Sequence, residues 1–320
     1  MQLRKLIDSS CGLRFMIDNL CTHSSYSRKL LLESKMLYDK TTIQKSYSVL
    51  KEFYKVVEND ENKNIIQTLQ FKLCNLKDIN NTISRLASSA VIDDIELFEV
   101  KNLALLSASY KGIFHPEVKH ILEKEKREYQ KVDVTFGLKP IIIMGANMGG
   151  KTIVLKTLAM CQYLLQFGFG IPATSADMMI YDEIFCLTTD DQSINKGLSS
   201  FAAEMKNIDA VIKASQHDKK ILALIDEPAR TTNPTEGTAL VSSLVKLLQE
   251  KEMSLVIVTH YNIKTYNNKC LRVKGLVDGK MNYELIETHE GEVPHEALNI
   301  AESLGIDPQW IKMAKEFYEE

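Results

Sequence analysis

The octet Gly145-Ala146-Asn147-Met148-Gly149-Gly150-Lys151-Thr152 follows directly on the apolar run Ile141-Ile142-Ile143-Met144. It satisfies G-x-x-x-x-G-K-[ST], a pattern that works only between the end of a strand and the start of a helix. In that setting the glycines let backbone N–H groups crowd around phosphates, Lys151 can reach the β- and γ-phosphates, and the Thr152 hydroxyl can ligate magnesium. A helix N-terminus behind the phosphates adds its favourable dipole. The octet therefore asks for a strand, a tight loop and a helix in that order, and for a nucleoside triphosphate in the loop.

The rest of the second half supplies a matching sheet. From Val132 onward short apolar runs (PIIIM, ILALID, LVIVTH) alternate with longer helical patterns, which predicts an α/β sheet with helices on its faces. ILALID ends in Asp226-Glu227. A carboxylate at the tip of a strand beside the loop can hold magnesium, and its neighbour can orient or deprotonate an attacking water. LVIVTH ends in His260. Alone, a histidine there reads as structural; beside the other two motifs it reads as a γ-phosphate sensor.

The first half has another grammar. LLLESKMLY and IIQTLQFKLCNLKDINNTISRLA carry apolar residues at three- and four-residue spacing, which predicts a helix bundle broken at Asn59-Asp60-Glu61-Asn62 and ending near Gly112 to Pro116. Glu117 to Lys131 reads as a charged, solvated helix or linker. Two domains are expected, because 320 residues exceed the ~250–300 over which one core usually grows. The net charge of −3 divides into +4 for residues 1–131 and −7 for 132–320, a mild asymmetry that gives nucleic-acid binding weak support and does not exclude it. No run approaches the ~18 apolar residues of a membrane span, and MQLRKLIDSSCGLRF lacks the apolar core of a secretory leader, so a cytoplasmic protein without membrane attachment is expected. The six cysteines are scattered without a C-x-x-C pair and are expected to be buried or inert thiols rather than zinc ligands or disulfides.

Loop, strand carboxylates and strand histidine together resemble the ATPase domain of the MutS family of mismatch-repair proteins. GFGIPA after the loop helix, TTDDQSINKGLSSFAAEM in the place of the signature segment, and THY at the histidine extend the likeness, and TNPTEGTAL looks closest to the second bacterial MutS branch. EALNIAESLGIDPQWIKMAKEF is similar to the helical element with which the family clasps a partner subunit, with Asp307 and Pro308 placed to cap and open its last helix. SSCGLRFMIDNLCTHSSYSRKLLLESKMLYDK and LKDINNTISRLASSAVIDDIELFEVKNLALL resemble, more faintly, the family's helical core.

This resemblance implies an ABC-type P-loop NTPase domain, a mixed sheet flanked by helices, preceded by an all-α core or lever domain. The corresponding division is residues 1–115 for the helical domain, 116–131 for the charged linker, 132–288 for the ATPase domain and 289–320 for a helical dimerisation element. It also implies a homodimer with composite ATP sites. Gly145, Asn147, Met148, Gly149, Gly150, Lys151, Thr152 and Ile153 would hold ATP in one subunit, and Ser199, or Ser200 beside it, would touch the γ-phosphate held by the other. Thr152 and Asp226 would hold Mg2+, Glu227 would position water, His260 would sense the γ-phosphate and Lys151 would neutralise charge. The competing reading of Gly197-Leu198-Ser199-Ser200 is a plain helix N-cap.

The departures from the family bear on the client. The chain starts at the helical core, so the mismatch-inserting domain is expected to be absent, as is the nuclease-like extension of the second branch. Only about forty residues separate Leu106 from Gly145, too few for the long levers and DNA clamp of a mismatch sensor. Ala146 stands where the family usually has proline, and Pro228-Ala229-Arg230-Thr231-Thr232-Asn233 where it usually has a glycine-rich turn, which leaves Arg230 outside the expected catalytic set. Two functions remain: an ATPase moving its helical domain on DNA, or a clamp-less one acting on a protein client, such as the MutS-like ATPases associated with reactivating cobalamin-dependent aminomutases. An inactive nucleotide-binding scaffold is disfavoured by the retained Lys151, Asp226, Glu227 and His260.

Overall fold

A computed structural model describes residues 1–8, 11–20, 22, 24–74, 77–88, 95–96, 132–145, 150–173, 175–188, 197–277, 280–289, 298, 301–302 and 305–319. The segment expected to be a charged linker, residues 116–131, lies outside them, as does most of the stretch from 289 to 304. The chain divides into two compact units. One comprises Met1–Ser9, Leu13–Lys126 and Cys161–Asp177, the other Ser10–Gly12, Arg127–Met160 and Met178–Glu320.

The described part of the first unit is helical: α1 (Leu13–Asn19), α2 (Ser25–Glu33), α3 (Lys40–Glu58), α4 (Lys63–Cys74) and α5 (Asn80–Ala87). Polar residues set the helix starts. The Ser24 hydroxyl accepts from the Ser27 N–H at 3.0 Å, and an Asp39 carboxylate oxygen accepts from the Thr42 N–H at 2.7 Å; each satisfies one of the donors that a helix start leaves unpaired. The polar stretch Asn59 to Asn62 noted in the sequence separates α3 from α4: Asp60–Asn62 form a single 3-10 turn with Asn59 as its cap. Leu3, Leu13 and Ile17 are fully buried. The unit also takes in the chain just past residue 160: the Leu37 N–H donates to the Gln166 carbonyl, the Gln166 amide returns a bond to the Leu37 carbonyl at 3.2 Å, and the Tyr47 hydroxyl donates to the Phe169 carbonyl. Burial pushes the Tyr47 phenol up to about 12 and the Cys161 thiol up to about 11, so that thiol is protonated near neutral pH. Cys74, by contrast, is exposed at the end of α4.

The second unit is a mixed six-stranded sheet with helices. Its strands are β1 (Ile141–Met144), β2 (Glu183–Leu187), β3 (Ile221–Asp226), β4 (Ser254–Thr259), β5 (Lys269–Val277) and β6 (Lys280–Glu287), in the spatial order β2-β3-β4-β1-β5-β6. β1 to β5 are parallel, and β6 returns antiparallel to β5. Among the described residues its helices are α6 (Lys151–Gln166), whose part up to Met160 belongs to this unit, α7 (Gly197–Ala214), α8 (Pro234–Leu248) and α9 (Pro308–Glu319). Three of the four inner strands, β3, β4 and β1, are buried at every residue, which is why ILALID, SLVIVT and IIIM read as unbroken apolar runs rather than alternating ones. β2, at the edge, is only half-buried throughout. Ile142, Ile225, Val245, Leu248 and Ile257 form part of one continuous core, each contributing about 1.5–3 kcal/mol by leaving water.

Local signals fix where α8 and α9 begin. Asn233 accepts from the Thr235 N–H at 2.8 Å with Pro234 opening α8, and Asp307 accepts from the Gln309 and Trp310 N–H groups, both at 3.0 Å, with Pro308 opening α9. Among the described residues no helix is long and apolar enough to cross a membrane.

Candidate functional site

Parallel pairing brings the chemistry to one edge. Met144 is in register with Thr259, and Asp226 with Val258, so β1, β3 and β4 end within a residue of one another. Gly145, Glu227 and His260, the next residue in each case, therefore emerge side by side at the carboxyl edge of the sheet, the place where open α/β folds bind ligands.

Of the loop itself, Gly145, Gly150, Lys151, Thr152 and Ile153 are described; Asn147, Met148 and Gly149 lie outside the described residues. Lys151 is buried, and its ammonium donates to the Gly145 carbonyl at 2.8 Å, so one positive charge is held inside the loop by the loop's own first residue. Thr152, second residue of α6, donates its hydroxyl to Asp226 Oδ2 at 2.9 Å and thereby joins loop to strand tip. Ile153 is 65% exposed beside them, an unusual position for an isoleucine in a first helical turn. Gly150 has φ +72, and a Cβ built on it would stand 2.7 Å from Cδ1 of Tyr283 on β6. Gly150→Ala thus combines left-handed strain with a collision and is expected to cost about 1–3 kcal/mol. Urea unfolding should show a lower midpoint for this variant, partly recovered when Tyr283→Ala is added; an unchanged midpoint would contradict the packing of Tyr283 on the loop.

Glu227 is almost wholly buried. One of its oxygens lies 3.7 Å from His260 Nδ1 and the other 3.8 Å from an Arg230 guanidinium nitrogen. His260 stacks obliquely on Tyr261, ring centres 4.4 Å apart. The turn after Glu227 is strained: Glu227 and Ala229 have φ +45 and +62, with Pro228 between them. Left-handed backbone at residues with a Cβ costs of order 1–3 kcal/mol each and survives only where neighbours enforce it. Here the Glu227 N–H donates to the Val258 carbonyl at 2.9 Å, the Ala229 N–H to Glu204 Oε1 on α7 at 2.7 Å, and the Tyr261 hydroxyl to the Ala229 carbonyl at 2.8 Å. Burial raises the Glu204 carboxyl above its ordinary value, opposed by the Ala229 N–H and the Arg230 charge. Burial also raises the Tyr261 phenol, with Glu204 and Glu227 adding to it. The Tyr261 ring in turn packs on Gly237 of α8, where a Cβ would fall 2.5 Å from the phenolic oxygen.

Ser199 and Ser200 stand in the first turn of α7, inside the helix rather than at its cap position. The stretch Asp190 to Asn195 before them lies outside the described residues. Glu204, Tyr261 and Tyr283 carry geometry that the sequence motifs did not single out. Glu204 and Tyr261 sit within quoted motifs, GLSSFAAEM and THY, but nothing in the spacing says that both reach Ala229.

The donor set suits magnesium. A hydroxyl and a carboxylate are hard oxygen ligands of the kind that ion prefers, and Thr152 and Asp226 already touch. Among the described residues no group of three or more His, Cys, Asp or Glu gathers as a metal cage. An ion here would complete its shell with phosphate and water oxygens, as magnesium commonly does.

Comparison with known proteins adds the lineage. Residues 141–301 match the family model described as MutS domain V. The chain is similar to proteins named Endonuclease MutS2. It is 36% identical to that of Caldicellulosiruptor bescii over 204 residues, 60% of this chain and 25% of the relative. For Staphylococcus carnosus the identity is 31% over 228 residues, covering 69% and 28%, and for Clostridium tetani it is 30% over 275 residues, covering 81% and 34%. The chain spans about a quarter to a third of the length of these relatives.

Proposed function

The chain belongs to the MutS family and carries its ATPase domain, and on that premise we propose that it is a homodimeric ATPase whose two composite sites convert ATP hydrolysis into movement of an N-terminal helical domain. The observation that carries this reading is the convergence of Lys151, the Thr152–Asp226 pair, Glu227 and His260 at one sheet edge. Each has a task in that arrangement. Lys151 neutralises charge on the β- and γ-phosphates, and Thr152 and Asp226 offer oxygens to magnesium. The metal, when bound, supplies charge neutralisation on the phosphate oxygens. Glu227 orients the attacking water and accepts its proton, and His260, within reach of the same carboxylate, reports the γ-phosphate. Gly145, Asn147, Met148, Gly149, Gly150 and Ile153 shape the pocket, and Ser199 with Ser200 completes that of the partner. The division into a helical domain over 1–115, a linker, an ABC-type ATPase domain over 132–288 and a dimerising element over 289–320 belongs to the same proposal. α9 supports the last part, because Trp310, Met313 and Phe317 form an exposed apolar stripe along it.

Complementation tests the composite site. Lys151→Ala and Ser199→Ala chains should each be nearly inactive alone, while a 1:1 mixture should recover ATP hydrolysis, since half of the mixed dimers' sites combine an intact loop with an intact serine. A mixture no more active than its parts overturns the shared pocket.

DNA is the first client, on the strength of the family and the slightly basic first half. The second reading, a protein client, is favoured by one observation, the short interval of about forty residues between Leu106 and Gly145, which leaves no room there for a clamp. Binding to duplex, mismatched and branched DNA at physiological salt separates the two, since phosphate contacts weaken steeply as salt rises.

A further inference from the structure

Glu204 reaches out of α7 to a peptide that it does not neighbour in sequence. Its Oε1 accepts the Ala229 N–H at 2.7 Å, and its Oε2 is buried with no hydrogen-bond partner among the described residues. A buried carboxylate oxygen left without a donor is costly, and the rarity of such groups makes each one call for a reason. The peptide it holds is the one that most needs holding. Ala229 is buried, has φ +62 and follows Pro228, which in turn follows Glu227 at φ +45. Glycine would adopt such angles without help; alanine does so only against resistance. Tyr261 grips the same residue from its carbonyl side, so both polar groups of Ala229 are tied to side chains from other elements.

We propose that Glu204 is a positioning residue for ATP cleavage: by holding the Ala229 N–H it fixes the left-handed turn that aims Glu227, and it ties that turn to the helix that carries Ser199 in its first turn. The two residues share α7 and stand roughly 7.5 Å apart along its axis. Any shift of that helix when Ser199 meets the partner's nucleotide is therefore passed to the subunit's own Glu227 through one hydrogen bond. The proposal rests on the hydrolytic role given to Glu227 above and adds to it a route by which one pocket informs the other.

The test uses the full chain as Glu204→Ala, Glu204→Gln and the double variant Glu204→Ala/Ala229→Gly. Misplacing a reacting group by about 1 Å costs about 10²-fold, so Glu204→Ala should lose about that much kcat. Its KM for ATP should stay within about threefold, since the loop that binds nucleotide is untouched. Glu204→Gln keeps an oxygen that can accept the Ala229 N–H and should retain most of the turnover. Glycine at 229 holds a positive φ unaided, so the double variant should regain about tenfold over Glu204→Ala. In the nucleotide-free protein, amide exchange over Pro228–Asn233 should accelerate in Glu204→Ala and stay slow in Glu204→Gln. Parental kcat in Glu204→Ala, unchanged exchange at the turn, or Gln as defective as Ala with no rescue by glycine would each overturn the proposal. If the alanine variant does not fold, Glu204→Asp, whose shorter arm withdraws the acceptor but keeps the charge, is read by the same criteria. Normal turnover in Glu204→Ala alongside a crippled Glu227→Gln removes the role of Glu204 alone. A Glu227→Gln that turns over normally removes the underlying reading, while amide exchange still decides whether Glu204 holds the turn.

Discussion

Glu227→Gln is expected to lower ATP turnover by about 10²–10⁴-fold, the usual contribution of a positioned general base. The substitution keeps the volume and the hydrogen-bonding shape of a side chain that is almost wholly buried at the tip of β3. It removes the negative charge that His260 Nδ1 and Arg230 face at 3.7 and 3.8 Å, and with it the group able to draw a proton from water. The ATP contacts proposed above, the loop and the Thr152–Asp226 pair, are left alone by the change, so the variant should bind ATP and stall. A sizing column run with ATP and magnesium should then show the stalled variant accumulating as a dimer, whereas the parent cycles between states. Hydrolysis at the parental rate would remove Glu227 from the water-positioning role.

Lys151→Ala is expected to fail one step earlier. Its ammonium is buried and held 2.8 Å from the Gly145 carbonyl, so the charge already sits inside the loop that would wrap the phosphates. Truncation deletes charge-assisted hydrogen bonds worth about 1.5–3 kcal/mol each, and weakening of ATP binding by about 10²-fold corresponds to about 2.7 kcal/mol. Titration of a fluorescent ATP analogue in the presence of magnesium measures the loss directly. The contrast between the two variants carries the meaning: the lysine change should raise Kd, and the glutamate change should leave Kd nearly intact while abolishing kcat. Unaltered affinity in Lys151→Ala would mean that the octet is not a phosphate cradle.

What could be read in the sequence were the features whose physics is local. The three buried strands show as apolar runs because both of their faces are covered, and the polar residues at their tips, Asp226 and His260, stand out because the runs stop there. Asn233-Pro234 and Asp307-Pro308 announce helix starts for reasons confined to a few neighbouring residues. β2, β5 and β6 were less visible. β2 lies at an edge and is half-buried at every residue, so EIFCL carries neither a clean alternation nor a full apolar run. The strain at Ala229 and its relief by Glu204 and Tyr261 join residues from three elements, 25 and 32 positions apart. No periodicity encodes such a meeting. Nor does any motif place Tyr283 over Gly150, because that contact comes from the antiparallel return of β6.

The fit between Tyr261 and Gly237 limits how this protein can drift. With the phenolic oxygen 2.5 Å from where a Cβ would stand, even a methyl group at 237 must wait until the ring at 261 has shrunk or turned away. Losing that ring first takes the Tyr261 hydroxyl from the Ala229 carbonyl, which keeps the Thr232 N–H at 3.2 Å, so the intermediate along the way has a slackened turn behind Glu227. The two sites are thus locked in an order of replacement, and a lineage that changes one should be found to have already accommodated the loss of the other's support.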